Sequence, residues 1–497
     1  MPEAIEQIRQ TATLIVPEIV LLATICALFL VGPLLVSDAG EAPAGLRHRW
    51  GVLSLFALVI AWLLWIKGGT AAANGGMFHI DALVWYTRGL SLSAGILLAL
   101  VMWNQIDDSH SAEVYACLLS IVVGTNLVAA ANDLVSLFLA LELVSIPTYV
   151  ILYLPRRDRL SSEATLKYFM LSVFSSALVL YGMSWLYGVT GSTNFAAIRE
   201  ALSNRSQASD DALLQIAFAL LLAGLSFRIT AVPFHFYAPD VFQGTTASNA
   251  ALLSFVPKIV GFVALMRLIP LSGVTVDRVL WMPDQSTRLL LGTLAVVTMF
   301  VGNLMALRQS HLYRLMAYSS IAHAGYMLIG LAVGDSLVGG REAILFYLAT
   351  YGLMTIGVFA LLAAGGTGER GLATDADIRG LSRTQPIVAI MLAICLFSLT
   401  GLPPTAGFLG KLNLFFAAWS DTSAEGRYLA GFLAINAAIS AYYYLRLVAL
   451  MFLEPTTQQP EGEPHRASWA PWLAGTACAI TTIVIFISPQ WLWDSIR

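Results

Sequence analysis

Ionisable side chains interrupt several long apolar runs of this sequence. Glu142 stands between Leu141 and Leu143 near the middle of one run, and Lys258 lies near the middle of another. A charged side chain at the centre of a bilayer costs about 2.5 to 3.5 kcal/mol, so it seldom persists without a partner or a function. Each residue alone suits a structural ion pair as well as a transport role, but a whole series favours transport. The series is Glu142, Lys167, Arg228, His235, Lys258, His323 and Lys411.

The chemistry that such a series can perform is proton transfer. A lysine in a low-dielectric cavity can release its proton near neutral pH, and a neighbouring carboxylate opposes that release. Histidine exchanges protons in the same pH range. Proline breaks expose backbone groups that can hold water between the side chains. No phosphate-binding loop, nucleophile triad, haem ligand pair or cysteine cluster accompanies the series, so we expect no metal and no cofactor on this chain.

The elements that position these residues are predicted to lie in a membrane. Of the 497 residues, 11% are charged and 58% are hydrophobic, and the mean hydropathy is +0.76. A soluble domain averages roughly 25% charged residues. The composition therefore excludes a soluble enzyme and a disordered chain, and the net charge of −3 without a basic patch excludes a nucleic-acid-binding protein.

Fourteen apolar runs are long enough to cross a bilayer core of about 30 Å. Because backbone polar groups must be satisfied within lipid and the alternating pattern of a barrel is absent, these runs predict helices. The predicted fold is all-α, a polytopic membrane helical bundle. Its predicted parts are three helices in residues 1–112, a five-helix repeat in 113–270, a second repeat in 287–453 and a last helix in 454–497.

Two of the runs contain a break. The seventh is interrupted at Pro233, between Arg228 and His235, and the twelfth is interrupted around Pro403. The two prolines are 170 residues apart, and the fourth and ninth runs start 175 residues apart, so five runs match the next five. Paired broken helices are typical of transporters built from inverted repeats, and an odd number of helices per repeat inverts the second copy. Prolines that merely kink single helices are the alternative interpretation.

Several motifs resemble those of a known family. They lie at residues 141–147, 164–169, 231–235 with 238–241, 317–326 and 403–411. They are similar to motifs of the antiporter-like membrane subunits of proton-pumping NADH:quinone oxidoreductase, respiratory complex I, and most similar to the subunit N family. The resemblance implies a proton-translocating subunit, packed in the membrane arm beside similar subunits, with no redox chemistry of its own. NADH, FMN, iron–sulfur clusters and quinone would be bound by partner subunits.

The resemblance also implies roles for the ionisable series. Glu142 corresponds to the coupling glutamate and Lys167 to the lysine that modulates it. Lys258 corresponds to the lysine that connects two half-channels, His323 to the hydrophilic axis, and Lys411 to the terminal lysine.

Arg228 departs from the family pattern, which usually has lysine at this position. Since arginine keeps its proton at any accessible pH, Arg228 can hold a charge but cannot pass a proton on. We therefore expect Glu142 to form a lasting ion pair with Arg228 or Lys167. Lys258 would then receive protons through water or through His235.

Two alternatives stay open at the level of sequence. The same series would serve an antiporter-like subunit of a multi-subunit sodium/proton antiporter or of a membrane-bound hydrogenase. A non-pumping scaffold, with its channel blocked at Arg228, is the other alternative. Gln243, where the family usually has glutamate, is a second departure from the pattern.

The charged connections predict how the chain lies in its membrane, which we expect to be the bacterial inner membrane. With an even number of spans both termini share one side, and the most basic connections, such as Arg47-His48-Arg49, fall on the other. The positive-inside rule therefore predicts both termini on the outer side.

Overall fold

The computed structural model describes a chain made mainly of α-helices. The described residues are 12–37, 42–69, 73–74, 76–154, 158–203, 212–271, 274–276, 280–335, 339–366, 371–421, 423–455 and 468–496. Among them, twelve helices are long and apolar enough to cross a membrane, and two apolar helices are shorter. The prediction of a polytopic helical membrane protein is confirmed. The count of fourteen spans, the domain boundaries and the inverted repeats stay predictions.

One compact unit comprises Met1–Ala99, Ile106–Arg228 and Ile259–Ser272. Its helices are α1 (Val16–Val31), α2 (Leu46–Gly68), α3 (Ala82–Met102, whose last residues belong to the second unit), α4 (Ser111–Ala130), α5 (Leu134–Tyr153), α6 (Arg159–Thr190), α7 (Phe195–Ser203) and α8 (Ala212–Arg228). Two short strands, β1 (Ala73–Asn74) and β2 (His79–Ile80), pair antiparallel. Helix α4 packs against α5, and α6 packs against α8.

The second compact unit comprises Leu100–Gln105, Ile229–Lys258 and Gly273–Arg497. Its helices are α9 (Ala238–Gly244), α10 (Ala247–Leu268, whose residues after Lys258 belong to the first unit), α11 (Gln285–Ala306), α12 (Leu312–Val333), α13 (Gly340–Gly365), α14 (Asp375–Ile378), α15 (Leu381–Thr384), α16 (Pro386–Thr400), α17 (Ala406–Trp419), α18 (Ala424–Leu453), α19 (Trp469–Ile487) and α20 (Gln490–Ile496). Strands β3 (Val274–Val276) and β4 (Leu280–Met282) pair antiparallel. Helices α12 and α13 are buried along almost their whole length.

Both predicted breaks are present as non-helical segments. Helix α8 ends at Arg228, and helical structure resumes at Ala238. Helix α16 ends at Thr400, and α17 begins at Ala406. The chain turns through the left-handed region at each break, at Thr230 with φ of 60° and at Gly401 with φ of 86°. Glycine adopts this conformation freely, whereas threonine does so rarely.

A capping residue marks the start of α6. The Asp158 carboxylate accepts a hydrogen bond of 2.7 Å from the backbone N–H of Ser161. This contact satisfies one of the free donors at the helix start, so the helix begins at Arg159. Lys167 therefore lies inside the helix, beyond its first turn.

Glycines allow α11 and α12 to pack closely. A Cβ atom on Gly302 would lie 2.5 Å from the backbone nitrogen of Ala322 and 2.8 Å from the carbonyl oxygen of Tyr318. A Cβ atom on Gly325 would lie 2.6 Å from Cγ of Met299. Small residues at such contacts are the usual means by which membrane helices bring their backbones together.

We expect Gly302→Ala to destabilise the protein by roughly 1 to 3 kcal/mol, because the added methyl group must push two backbones apart. The measurement is thermal melting of the protein extracted in mild detergent. Gly292→Ala, in the same helix, is the matched control, since its Cβ would meet only side-chain atoms of Leu429 at 3.6 Å and beyond. Equal melting temperatures for the two variants would contradict the close packing.

Candidate functional site

Lys258 is fully buried in α10 and is bonded to the first break. Its ammonium donates to Oγ1 of Thr230 at 2.9 Å and to the carbonyl oxygen of Ile229 at 3.4 Å. The side chain is 0% exposed. Because residues 229 and 230 lie outside a helix, their oxygens are available as acceptors for the lysine.

Lys411 makes similar contacts at the second break. Its ammonium donates to the carbonyl oxygens of Leu399 at 2.8 Å and Thr400 at 2.9 Å, and it lies 3.5 Å from Oγ of Ser440. These carbonyls end helix α16, and the C-terminal end of a helix attracts positive charge. A Cβ atom on Gly401 would lie 2.9 Å from Cδ of the lysine, so glycine leaves room for the side chain to pass.

His323 lies at the centre of α12 with both ring nitrogens hydrogen-bonded. Nδ1 is 2.6 Å from the hydroxyl of Tyr347 in α13, and Nε2 is 3.0 Å from the hydroxyl of Tyr444 in α18. All three side chains are fully buried. The imidazole therefore joins three helices through polar contacts inside an apolar interior.

Aromatic rings connect His323 with the two lysines. The rings of Tyr351 and Tyr326 pack against the imidazole with centroid distances of 5.0 Å and 5.4 Å. Nζ of Lys258 lies 5.9 Å from the centroid of Tyr351, and Nζ of Lys411 lies 5.2 Å from the centroid of Tyr326. An ammonium at this distance over an aromatic face is stabilised by the ring. Three predicted site residues, Lys258, His323 and Lys411, thus share one aromatic cluster.

Glu142 pairs with Arg228 in the first unit. The guanidinium donates from Nη2 to Oε1 of Glu142 at 3.4 Å and from Nη1 to the carbonyl oxygen of Leu141 at 3.3 Å. Oε1 also accepts a hydrogen bond of 2.5 Å from Ser176. The Arg228 side chain is 6% exposed and that of Glu142 is 23% exposed. The predicted ion pair therefore forms with Arg228.

The remaining two predicted residues have different surroundings. Lys167 forms an ion pair of 2.8 Å with Glu163, one helical turn earlier, and both side chains are substantially exposed. His235 lies half-buried in the first break, and its Nδ1 is buried without a hydrogen-bond partner among the described residues. The contacts of Lys167 are those of a surface ion pair, whereas His235 presents an unused polar atom in the non-helical segment.

The structure explains the unusual Gln243. Nη1 of Arg314 donates to Oδ1 of Asp240 at 2.6 Å and to Oε1 of Gln243 at 2.9 Å. An amide oxygen accepts this hydrogen bond as a carboxylate oxygen would. The substitution of glutamine for glutamate therefore keeps the contact and removes one negative charge.

Sequence reasoning missed the hydroxyl groups that surround the ionisable residues. Ser176, Thr230, Tyr347 and Tyr444 each contact one of them. A signal was present, because a buried tyrosine hydroxyl normally needs a hydrogen-bond partner. Tyrosines deep in the apolar runs therefore indicated polar partners.

Comparisons with known proteins agree with this fold and site. The family model described as "NADH:quinone oxidoreductase/Mrp antiporter, TM" matches residues 131–451. The chain is 36% identical over 491 residues to NADH-quinone oxidoreductase subunit N 1 of Solibacter usitatus, covering 98% of this chain and 96% of that protein. It is 38% identical over 459 residues to NADH-quinone oxidoreductase subunit N of Trichlorobacter lovleyi, covering 92% and 91%.

Solved structures show the same architecture. A chain of respiratory complex I from Thermus thermophilus matches with a TM-score of 0.79 at 29% identity, covering 97% of this chain and 99% of that chain. A chain of the Mrp complex from Dietzia sp. DQ12-45-1b matches with a TM-score of 0.78 at 19% identity, covering 97% and 96%, and shows the fold. Fold and site thus define an antiporter-like membrane protein. The chain belongs to the NADH:quinone oxidoreductase/Mrp antiporter family, among the relatives named subunit N, so the resemblance stated from sequence is confirmed.

The pair of Glu142 and Arg228 predicts a compensating double variant. Arg228→Met should lower the free energy of unfolding by about 1 to 3 kcal/mol, because it leaves a largely buried carboxylate without its positive partner. Adding Glu142→Gln should recover most of that loss. Thermal melting in mild detergent measures both effects.

Lys167→Met is the control for the double variant, since its partner is an exposed carboxylate and such pairs contribute about 0 to 1 kcal/mol. If Arg228→Met alone melts like the wild-type protein, the contact between Arg228 and Glu142 has no energetic weight.

Proposed function

We propose that this chain translocates protons across the membrane as a subunit of an NADH:quinone oxidoreductase. The proposal rests on one observation, which is the set of groups that surround Lys258 and Lys411. Both ammonium groups donate to neutral oxygens, and within the described part of the chain neither has a carboxylate at salt-bridge distance. Burying a charge without a counter-charge is costly, so the neutral amine becomes accessible to each lysine. Each lysine can then bind and release a proton in a cycle.

His323 is proposed to exchange protons in the hydrophilic axis of the same unit. A neutral imidazole offers one donor and one acceptor nitrogen, and here both nitrogens face hydroxyl groups. His235, with its unpartnered Nδ1 in the first break, is proposed to pass protons from water towards Lys258.

In the first unit the proposed coupling element is Glu142 with Arg228. Because the guanidinium keeps its proton, Arg228 would take part in coupling by moving its charge and not by exchanging a proton. Lys167 is proposed to modulate Glu142 electrostatically, although its contact with Glu163 resembles an ordinary surface pair.

The remaining parts of the reaction are proposed to lie on partner chains. The relatives' names support an assembly that acts on NADH and quinone. We propose that NADH, FMN, iron–sulfur clusters and quinone bind to its other subunits. Similar antiporter-like subunits and the lipid bilayer would cover the apolar outer surface, where Leu30, Leu34 and Phe56 are 72%, 81% and 64% exposed. We place the assembly in the bacterial inner membrane with both termini outside.

Substitution of the buried lysines by arginine tests the proposed function. Lys258→Arg and Lys411→Arg keep the positive charge and remove the titratable amine, so proton transfer through this chain should slow by roughly 10²-fold or more. The measurement is NADH-driven proton uptake by inside-out membrane vesicles, expressed per NADH oxidised. Blue-native electrophoresis of the same membranes establishes assembly.

Lys67→Arg is the matched control, because this lysine lies exposed in the last turn of α2 and should pump at the wild-type ratio. An assembled Lys258→Arg or Lys411→Arg complex with the wild-type number of protons per NADH would rule out proton exchange at that lysine. Repeating the assay with and without Na⁺ separates proton transport from sodium transport.

A further inference from the structure

The hydrogen bonds of His323 continue into a line of hydroxyl groups. Tyr347 contacts Nδ1, Tyr444 contacts Nε2, and the Tyr444 hydroxyl is bonded in turn to Oγ of Ser319. All four side chains are buried. We call Tyr347, His323, Tyr444 and Ser319, in this order, the hydroxyl line.

An imidazole gains or loses a proton only at its two ring nitrogens. In His323 each of these nitrogens is hydrogen-bonded to a tyrosine hydroxyl, that of Tyr347 or that of Tyr444. Protons that reach or leave His323 through these contacts therefore pass through the two hydroxyls.

We propose that Tyr347 and Tyr444 relay protons to and from His323, so that the hydroxyl line is part of the proton path. The inference rests on the proposed function, since it adds two residues to the path. These tyrosines touch the moving proton directly and do more than hold the ring in place.

Proton transfer along the hydroxyl line conserves atoms and charge. In the neutral imidazole with its proton on Nε2, the Tyr347 hydroxyl donates to Nδ1. When a proton from water arrives at the Tyr347 oxygen, the hydroxyl proton moves to Nδ1, the Nε2 proton moves to the Tyr444 oxygen, and the Tyr444 proton moves to Oγ of Ser319, which releases its own proton to water. One proton enters and one leaves, and every group ends neutral. The imidazole returns to its first tautomer before the next proton passes.

The test removes single hydroxyls and keeps the rings. Tyr347→Phe and Tyr444→Phe should each slow proton transfer through this chain by about 10²-fold, the typical size of an acid–base contribution. Because the two groups act in series, the double variant should lose little more than either single variant. The assay is NADH-driven proton uptake per NADH in inside-out vesicles holding the whole complex, in H₂O and in D₂O.

Thr482→Val is the matched control. Thr482 is fully buried in α19, and its hydroxyl donates to the carbonyl oxygen of Cys478 at 2.9 Å. The variant also loses one buried hydroxyl and should pump protons at the wild-type ratio with the wild-type isotope effect. Similar losses in Tyr347→Phe, Tyr444→Phe and Thr482→Val, in proportion to the amount of assembled complex, would overturn the relay in favour of a packing role.

Lys411→Met, measured in parallel, separates failure of the relay from failure of the proposed function. Reduced pumping in Lys411→Met with wild-type pumping in both tyrosine variants would refute the relay alone. Wild-type pumping in an assembled Lys411→Met complex would refute the proposed function itself. The relay is supported only when Lys411→Met and the two tyrosine variants are impaired and Thr482→Val is not.

Discussion

Two breaks in apolar helices leave carbonyl groups without helical partners. Two buried lysines, with no carboxylate at salt-bridge distance in the described part of the chain, donate hydrogen bonds at these breaks. An unpaired backbone group in lipid costs several kcal/mol, so a break at membrane depth needs donors from elsewhere in the protein. The ammonium of Lys258 donates to the carbonyl of Ile229 and the hydroxyl of Thr230, and that of Lys411 donates to the carbonyls of Leu399 and Thr400. Each lysine has two close acceptors, and a neutral amine still carries two N–H donors. Loss of a proton therefore need not leave either break unsatisfied, which makes the same contacts compatible with both protonation states.

The residues that accept hydrogen bonds at the two breaks are separated by the same number of positions as the break prolines. The two donor lysines are not. Ile229 and Leu399 are 399 − 229 = 170 residues apart, which is also the spacing of the two break prolines. The lysines are 411 − 258 = 153 residues apart, because Lys258 comes from the helix after α9 and Lys411 from the second half of its own broken helix. The shared spacing agrees with the predicted repeat, whereas the two lysines come from different helices relative to their breaks. The inverted repeat itself stays a prediction.

The sequence predicted the helices and the two breaks because each of these features depends on residues that are close together in the sequence. Hydropathy located the helices because lipid requires about 20 apolar residues in a row, and proline and glycine located both breaks. The contacts of the site were hidden because they join residues far apart in sequence. Tyr444 is 121 positions from His323, and Arg228 is 86 positions from Glu142. The pair of Glu163 and Lys167, by contrast, is local, since the two residues are one helical turn apart.

Arg228 differs from the other ionisable side chains of the site because it keeps its proton at any accessible pH. Its guanidinium contacts Oε1 of Glu142 and the carbonyl of Leu141, while Ser176 donates to the same Oε1. A group that never loses its proton can alter this arrangement only by moving, so a change that starts at Arg228 is a displacement of its charge. In the proposed mechanism, by contrast, Lys258, His323 and Lys411 of the second unit each gain and lose a proton. The first unit would then respond to movement and the second would exchange protons, because Arg228 takes the place of the usual lysine.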